Sequence, residues 1–194
     1  MRIAIVKYNA GNIESVKNAL RRLGADAIVS DDAGVIASAD KVIFPGVGEA
    51  ASAMKYLRER NLDSVIRSLS QPVLGICLGM QLLCSHSEEN DTDCLGIVPN
   101  KVSLFPPSGL KVPHIGWNRI SDLGSALFSG IDDGSFVYFV HSYFVEKGDT
   151  TIAKSDYGVN FSAALNYKNF YAVQFHTEKS GAAGDKILEN FLKI

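Results

Sequence analysis

Apolar positions along the first half of the chain recur in two alternating periods. Short apolar runs at 2–6, 25–30, 41–44 and 72–76 read as buried strands. Between the first two, Ile13, Val16, Leu20 and Leu23 recur at helical spacing, and Gly24 supplies a stop. Asp31 or Asp32 is placed to cap a short helix. The run at 41–44 is broken by Pro45-Gly46-Val47-Gly48, and helical patterns follow at 49–59 and 62–69. Strands alternating with helices imply a parallel sheet covered on both faces. Ligands of such sheets bind at the carboxyl ends of the strands. The 45–48 loop and Cys77 both fall at such ends.

The second half changes period. Runs at 97–105, 136–140, 151–154, 160–165 and 170–175 are short and β-like, punctuated by Gly, Pro, Asn and Asp. They predict mostly antiparallel strands that extend or cover the sheet. A last helix is expected at 182–192, with Ile187, Leu188 and Phe191 inward. No repeat, low-complexity tract or long linker divides the chain, so one domain over 1–194 is expected.

Pro72-Val73-Leu74-Gly75-Ile76-Cys77-Leu78-Gly79-Met80-Gln81 carries the chemistry. A lone cysteine in an apolar run is ordinarily a small buried hydrophobe. Here it stands at a strand-to-helix junction with a glycine two residues before it and another two after. That is the pattern of a nucleophile elbow, with the reactive side chain at the apex of a strained turn. Glycines on either side let strand and helix approach closely. The first helical turn favours thiolate over thiol. Gln174-Phe175-His176-Thr177-Glu178 offers a base and a carboxylate to orient it. On an extended segment residues two apart point the same way, which would set Glu178 beside His176. His176 or Glu178 alone would be unremarkable. Cysteine, histidine and glutamate together indicate a cysteine-nucleophile hydrolase.

Composition narrows the class. The 194 residues suffice for one domain with a substantial core, and 46% apolar with 21% charged residues is ordinary for a soluble protein. A net charge of −2 without a basic run argues against nucleic acid or anionic membrane as a partner. The N-terminal apolar stretch at 1–7 is too short for a signal peptide, and no apolar stretch approaches the length of a membrane span. Three scattered cysteines make no disulfide framework, and a thiol nucleophile needs a reducing compartment, so the cytoplasm is expected. Cys84, seven residues past Cys77, would return to nearly the same helical face, the wrong spacing for zinc, and reads as core. Cys94 reads as a loop residue without a role. No metal site is expected.

Three of these features, in their chain order, resemble class I (triad-type) glutamine amidotransferases: Pro45-Gly46-Val47-Gly48, Gly75-Ile76-Cys77-Leu78-Gly79-Met80-Gln81 and the late His-x-Glu. The resemblance covers nearly the whole chain. It implies a single-domain α/β, flavodoxin-like fold: a central mostly parallel sheet flanked by helices, with extra antiparallel strands in the C-terminal half. Pro113-His114-Ile115-Gly116-Trp117-Asn118, Tyr138-Phe139-Val140-His141-Ser142-Tyr143 and Tyr8-Asn9-Ala10-Gly11-Asn12 narrow it. They are similar to the glutaminase subunits of imidazole glycerol phosphate synthases, which act in histidine biosynthesis.

The resemblance implies a reaction and a set of roles. Glutamine and water give glutamate and ammonia. Cys77 attacks the side-chain amide, His176 moves the proton, and Glu178 holds His176. The Leu78 N–H and one near Val47 would meet the oxyanion, with the glycines around Val47 letting that peptide swing. Gly48, Gln81, Glu89, Ser142 and Tyr143 would bind the glutamine backbone groups, Glu89 by pairing with the ammonium. Glu89 is preferred to Glu88 by its offset from Cys77 in the family pattern. Trp117, Tyr138, Lys179 and, more weakly, Asn12 would face a partner, with Lys179 pairing with an acidic residue there. The implied partner is a separate (β/α)8-barrel cyclase chain, forming a heterodimer, and no cofactor is implied. Thr177 departs from the family's His-Pro-Glu. It keeps β preference but restores an N–H and some freedom where proline would fix the backbone.

Other readings remain open on the residues alone. The chain could serve another synthase, such as one for anthranilate or pyridoxal phosphate, against which the 113–118 block speaks. It could be a stand-alone cysteine peptidase or deglycase, against which Gln81 and the late His-x-Glu speak. It could also be a catalytically dead regulatory module.

Overall fold

Side chains of the first strand alternate between two apolar layers. Ile3 and Ile5 pack on one face of the sheet, Ala4 and Val6 on the other. The computed structural model describes residues 1–9, 11–107 and 109–194. Ala10, within the motif at 8–12, lies outside the described residues.

In chain order the elements of the first half are β1 (Ile3–Val6), α1 (Ile13–Arg22), β2 (Ala27–Ser30), α2 (Ala33–Ala37), β3 (Lys41–Gly46), α3 (Ala50–Glu59), α4 (Leu62–Ser68), β4 (Val73–Cys77) and α5 (Leu78–Leu83). There follow β5 (His86–Ser87), β6 (Thr92–Asp93), β7 (Lys101–Leu104), β8 (His114–Arg119), β9 (Phe136–His141) and β10 (Tyr143–Val145). The chain closes with β11 (Thr151–Asp156), β12 (Asn160–Tyr167), β13 (Phe170–Val173) and α6 (Gly181–Lys193), and 3-10 turns stand at Ala126–Phe128 and Thr177–Lys179.

The main sheet runs β2-β1-β3-β4-β13-β12-β10-β7-β5-β6, with β11 on β12. Its first five strands are parallel. That order is the flavodoxin-like one, in which ligands sit at the strand ends beside the point where the order reverses. The antiparallel strands expected in the second half extend this sheet through β12, whereas β8 and β9 pair only with each other. Strands buried on both faces read as near-continuous apolar runs, as 41–44 and 73–76 do. Val16 and Leu20 of α1 share one layer with Ile187, Leu188 and Phe191 of α6. Met54, Leu57, Leu62, Ile66 and Leu82, from α3, α4 and α5, fill the other. Asp32 caps α2 by accepting from the Val35 N–H at 2.9 Å.

Local departures from the sequence reading have physical causes. β3 does not break at Pro45; it continues to Gly46, with Pro45 opposite Ile76 and Gly46 opposite Cys77. β1 pairs with β3 only as far as Ile43, so the missing proline N–H is not needed on that side. The run at 97–105 becomes a strand only from Lys101, because the N–H groups of Ile97 and Val98 turn back to the Leu83 carbonyl. The elbow helix ends at Leu83, so Cys84 does not return to the Cys77 face and packs in the opposite apolar layer. Glu178 is not on an extended segment: it lies in the 3-10 turn that Thr177 begins, and the β preference of Thr177 is overridden.

Candidate active site

The elbow is built as its glycines require. Cys77 ends β4 and starts α5 with φ 55° and ψ −111°, a conformation unfavourable for any residue with a Cβ. A Cβ on Gly79 would lie 1.8 Å from the Phe44 carbonyl oxygen, and one on Gly75 3.1 Å from the Gly79 backbone. Only glycine lets β3, β4 and α5 meet this closely. The Cys77 side chain sits near the Val140 carbonyl, 3.8 Å from Sγ, and near the Gln174 amide nitrogen at 3.9 Å.

His176, nearly a hundred positions later, stands beside Cys77, near enough for the two side chains to interact. It follows β13, the strand beside β4, so sheet order alone brings it there. Its Nδ1–H donates to Glu178 Oε1 at 2.7 Å, and both side chains are shut off from solvent. Burial by itself would push His176 down, yet its interaction with Cys77 and the hydrogen bond and charge of Glu178 raise it to about 10. Burial would likewise raise Glu178, but the hydrogen bond and charge of His176, with help from Asn12, hold it below the usual carboxylate range. Asn12, expected at a partner interface, instead turns its side chain inward. Its Nδ2 donates to Glu178 Oε1 at 2.5 Å and lies 3.2 Å from His176 Nδ1.

A cavity of about 280 Å³ opens over Cys77. That is just under the range of drug-sized ligand pockets and suits a free amino acid. Val47, Leu78, Gly48, Gln81, Glu89, Ser142 and Tyr143 all line it. The Gln81 side chain is already committed. Its Nε2 donates to the Tyr143 carbonyl at 2.9 Å and to Gln174 Oε1 at 3.0 Å, which leaves only its carbonyl oxygen to offer a ligand. One Glu89 oxygen accepts from the Ala50 N–H at 2.7 Å, capping α3, and burial raises the Glu89 carboxyl. Glu88 turns away from the cavity to the Leu104 N–H.

Sequence reasoning missed the layer behind the cavity. His114 and His141 are buried and hydrogen-bonded, Nδ1 to Nε2 at 3.1 Å, and His141 Nδ1 reaches the Tyr143 carbonyl at 2.7 Å. Burial lowers His114 to about 4 and His141 to about 3, so both rings are neutral. The one consistent pattern has His141 Nδ1–H donating to Tyr143 and His114 Nδ1–H donating to His141 Nε2. The Tyr143 carbonyl thus receives two donors, from Gln81 and His141. Gln174 bridges Gln81 and the sulfur. Its only sequence signal was its place two residues before His176. Cys84 and Cys94 are buried, and burial pushes both thiols up, Cys94 to about 12. No group of three His, Cys, Asp or Glu among the described residues could hold a metal ion.

Trp117 is not core: it is 55% exposed on β8, opposite Tyr138 on β9, with ring centroids 5.9 Å apart. Lys179 Nζ lies 5.9 Å from the Tyr138 ring. Ile115 and Phe136, exposed at 60% and 50%, extend this apolar face.

Solved structures share the architecture. A glutamine amidotransferase superposes with a TM-score of 0.77 over 98% of this chain and 97% of its own, at 19% identity. PurLQS from Thermotoga maritima gives 0.73 over 99% and 97%, at 18% identity. At that identity the likeness speaks for the fold alone. Sequence relatives go further. Imidazole glycerol phosphate synthase subunit HisH of Bacteroides fragilis is 57% identical over 100% of both chains. That of Escherichia coli (strain K12) is 50% identical, again over 100% of both. The family profile for glutamine amidotransferase class-I matches residues 4–194. A nucleophile elbow, a matched profile across the chain and full-length relatives lead to one conclusion: this chain belongs to the class-I glutamine amidotransferase family.

Proposed function

We propose that this chain is the glutaminase component of an imidazole glycerol phosphate synthase and acts as one domain over 1–194. The carrying observation is Cys77 in the wall of a cavity sized for an amino acid, with His176 beside it and Glu178 hydrogen-bonded to that imidazole behind the wall.

In this reading His176 takes the Cys77 proton and the sulfur attacks the amide carbon of glutamine. The C=O pair moves onto oxygen, giving a tetrahedral intermediate. The Leu78 N–H and the Val47 N–H meet its negative charge, each donor being worth about 2.7–4 kcal/mol. The intermediate collapses, His176 protonates the leaving nitrogen, and ammonia departs from a glutamyl thioester. Water, deprotonated by His176, then releases glutamate and the thiol. Glu178 keeps the imidazole in one tautomer and stabilises its charge, and Asn12 holds Glu178.

Glu89 and the free carbonyl oxygen of Gln81 suit the substrate ammonium. Gly48, Ser142 and Tyr143 supply backbone contacts around it. A cysteine nucleophile needs a reducing compartment, which favours the cytoplasm. No helix among the described residues is long and apolar enough to cross a membrane.

Ammonia released to bulk water is protonated and lost, so the reading includes a consumer: a (β/α)8-barrel cyclase in a heterodimer. In this reading the barrel, about 250 residues long, is supplied by a separate chain. Trp117, Tyr138 and Lys179 would dock on it, since exposed tryptophan and tyrosine on an apolar face are the usual anchors of an interface. Lys179 would meet an acidic residue there.

Glutamate release by the complex with the cyclase tests the reading. A diazo-ketone analogue of glutamine should add its mass at Cys77 and nothing in Cys77→Ala. Unlabelled wild-type protein without glutamate release would end the proposal.

A further inference from the structure

Tyr8 carries a hydroxyl that the fold leaves without a partner. Its Oη is closed to solvent and makes no hydrogen bond among the described residues. The ring packs on Phe44, centroids 5.3 Å apart, in the apolar layer that also holds α3 and α4. Phenylalanine would fill that space without the cost of a buried, unmade hydrogen bond. Position 8 thus holds a donor that the resting arrangement does not use.

The surroundings of Oη indicate its use. A Cβ built on Gly46 would lie 1.9 Å from Oη, so the hydroxyl occupies the space over Gly46 that a side chain would take. Gly46 stands opposite Cys77 in the sheet, and the Cys77 charge adds to burial in raising the Tyr8 phenol. Tyr8 reaches Gly46 from the core. The next residue, Val47, lines the cavity over Cys77. In a trans peptide the carbonyl and the N–H point in opposite directions. A rotation of the Gly46–Val47 peptide that turns the Gly46 carbonyl to Oη therefore turns the Val47 N–H towards the cavity. Glycine at 46 leaves that rotation unobstructed.

We propose that Tyr8 is a positioning residue for the oxyanion donor: its hydroxyl donates to the Gly46 carbonyl in the turned arrangement and holds the Val47 N–H aimed at the tetrahedral intermediate. The inference rests on the glutaminase reading. The bond is absent at rest and present when the donor is aimed, so all of it favours the reactive arrangement.

The test uses the complex with the cyclase, comparing wild type, Cys77→Ala, Tyr8→Phe and a chain with 4-aminophenylalanine in place of Tyr8. Tyr8→Phe should melt no lower than wild type and keep KM for glutamine within about twofold, while kcat falls about ten- to hundredfold, less than loss of an oxyanion donor itself. The aminophenylalanine chain, which keeps a donor at the same point, should recover most of kcat. Wild-type kcat in Tyr8→Phe, beside an active wild type and an inert Cys77→Ala, overturns this inference alone. A fall in kcat accompanied by a lower melting temperature and a raised KM marks the hydroxyl as structural and overturns it as well. An inert wild-type complex, or an active Cys77→Ala, removes the glutaminase reading and the inference with it.

Discussion

The backbone N–H of His176 donates to the carbonyl of Tyr138 at 2.9 Å. The Tyr138 N–H in turn reaches Ser180 Oγ at 3.0 Å, and Ser180 Oγ donates to the His176 carbonyl at 2.6 Å. The imidazole and the exposed face of Trp117 and Tyr138 therefore share one short stretch of backbone. Trp117→Ala should weaken binding of the cyclase by about 2 kcal/mol, roughly thirtyfold in Kd, with kcat restored at saturating partner. Tyr138→Ala should lower affinity and also leave kcat depressed at saturation. Titration calorimetry with steady-state kinetics separates the two. Equal behaviour of both variants would mean that the shared backbone transmits nothing.

Asn12 holds the carboxylate that holds the imidazole. Asn12→Ala should lower kcat about tenfold, one charge-assisted hydrogen bond's worth of positioning, with little change in KM. Asn12→Asp should be worse, since it sets a second negative charge against buried Glu178. Glutamate release across a pH series reports both, and an unaffected Asn12→Asp would show that Asn12 does not orient Glu178.

Gln81 donates both of its N–H groups inside the protein. Gln81→Glu replaces two donors by an acceptor facing two acceptors, at a cost of about 1–3 kcal/mol for each buried group left unpaired. A fall in melting temperature of about 4–24 °C is expected, together with a raised KM for glutamine. An unchanged melting temperature would mean that water or rotation of Gln174 repairs the site.

His114 and His141, lowered to about 4 and about 3, stay neutral in the folded chain while an unfolded imidazole titrates near 6.5. Their contribution is complete above pH 6.5 and is lost as pH falls towards 4, at up to about 1.4 kcal/mol per pH unit for each ring. His176, raised to about 10, works in the opposite direction: its share is intact below pH 6.5 and fades as pH climbs towards 10. Thermal stability should peak near pH 6.5. Ring-proton resonances of His114 and His141 should not shift between pH 7 and 5, and a midpoint near 6 for either would refute their burial as neutral groups.

Thr177 begins a 3-10 turn, its hydroxyl is buried without a partner, and its N–H makes no backbone bond among the described residues. His176 before it, at φ −86° and ψ 101°, already has a backbone that proline accepts in the residue preceding it. Thr177→Pro should therefore raise stability by about 0.4–1 kcal/mol, a gain of about 1–4 °C, with the triad intact. Calorimetry gives the answer, and a lower melting temperature would mean that the turn needs the threonine.

The elements that the sequence determined are those whose cause is local. The elbow at Gly75, Cys77 and Gly79, the α1 stop at Gly24, the Asp32 cap and the inward Ile187, Leu188 and Phe191 depend on sterics and periodicity within a few residues. The family motifs likewise located the residues that line the cavity. Other features depend on which strands become neighbours, and no local pattern encodes that. Placing β13 beside β4 brought His176 to Cys77, and ending the β1–β3 pairing at Ile43 let β3 run through Pro45. Pairing β8 with β9 turned Trp117 outward and set His114 edge-on to His141. The inward turn of Asn12, the saturation of the Tyr143 carbonyl and the stranded Tyr8 hydroxyl are also tertiary facts. A hydrogen bond needs two groups within about 3 Å, and for residues far apart in the chain only the packed fold sets that distance.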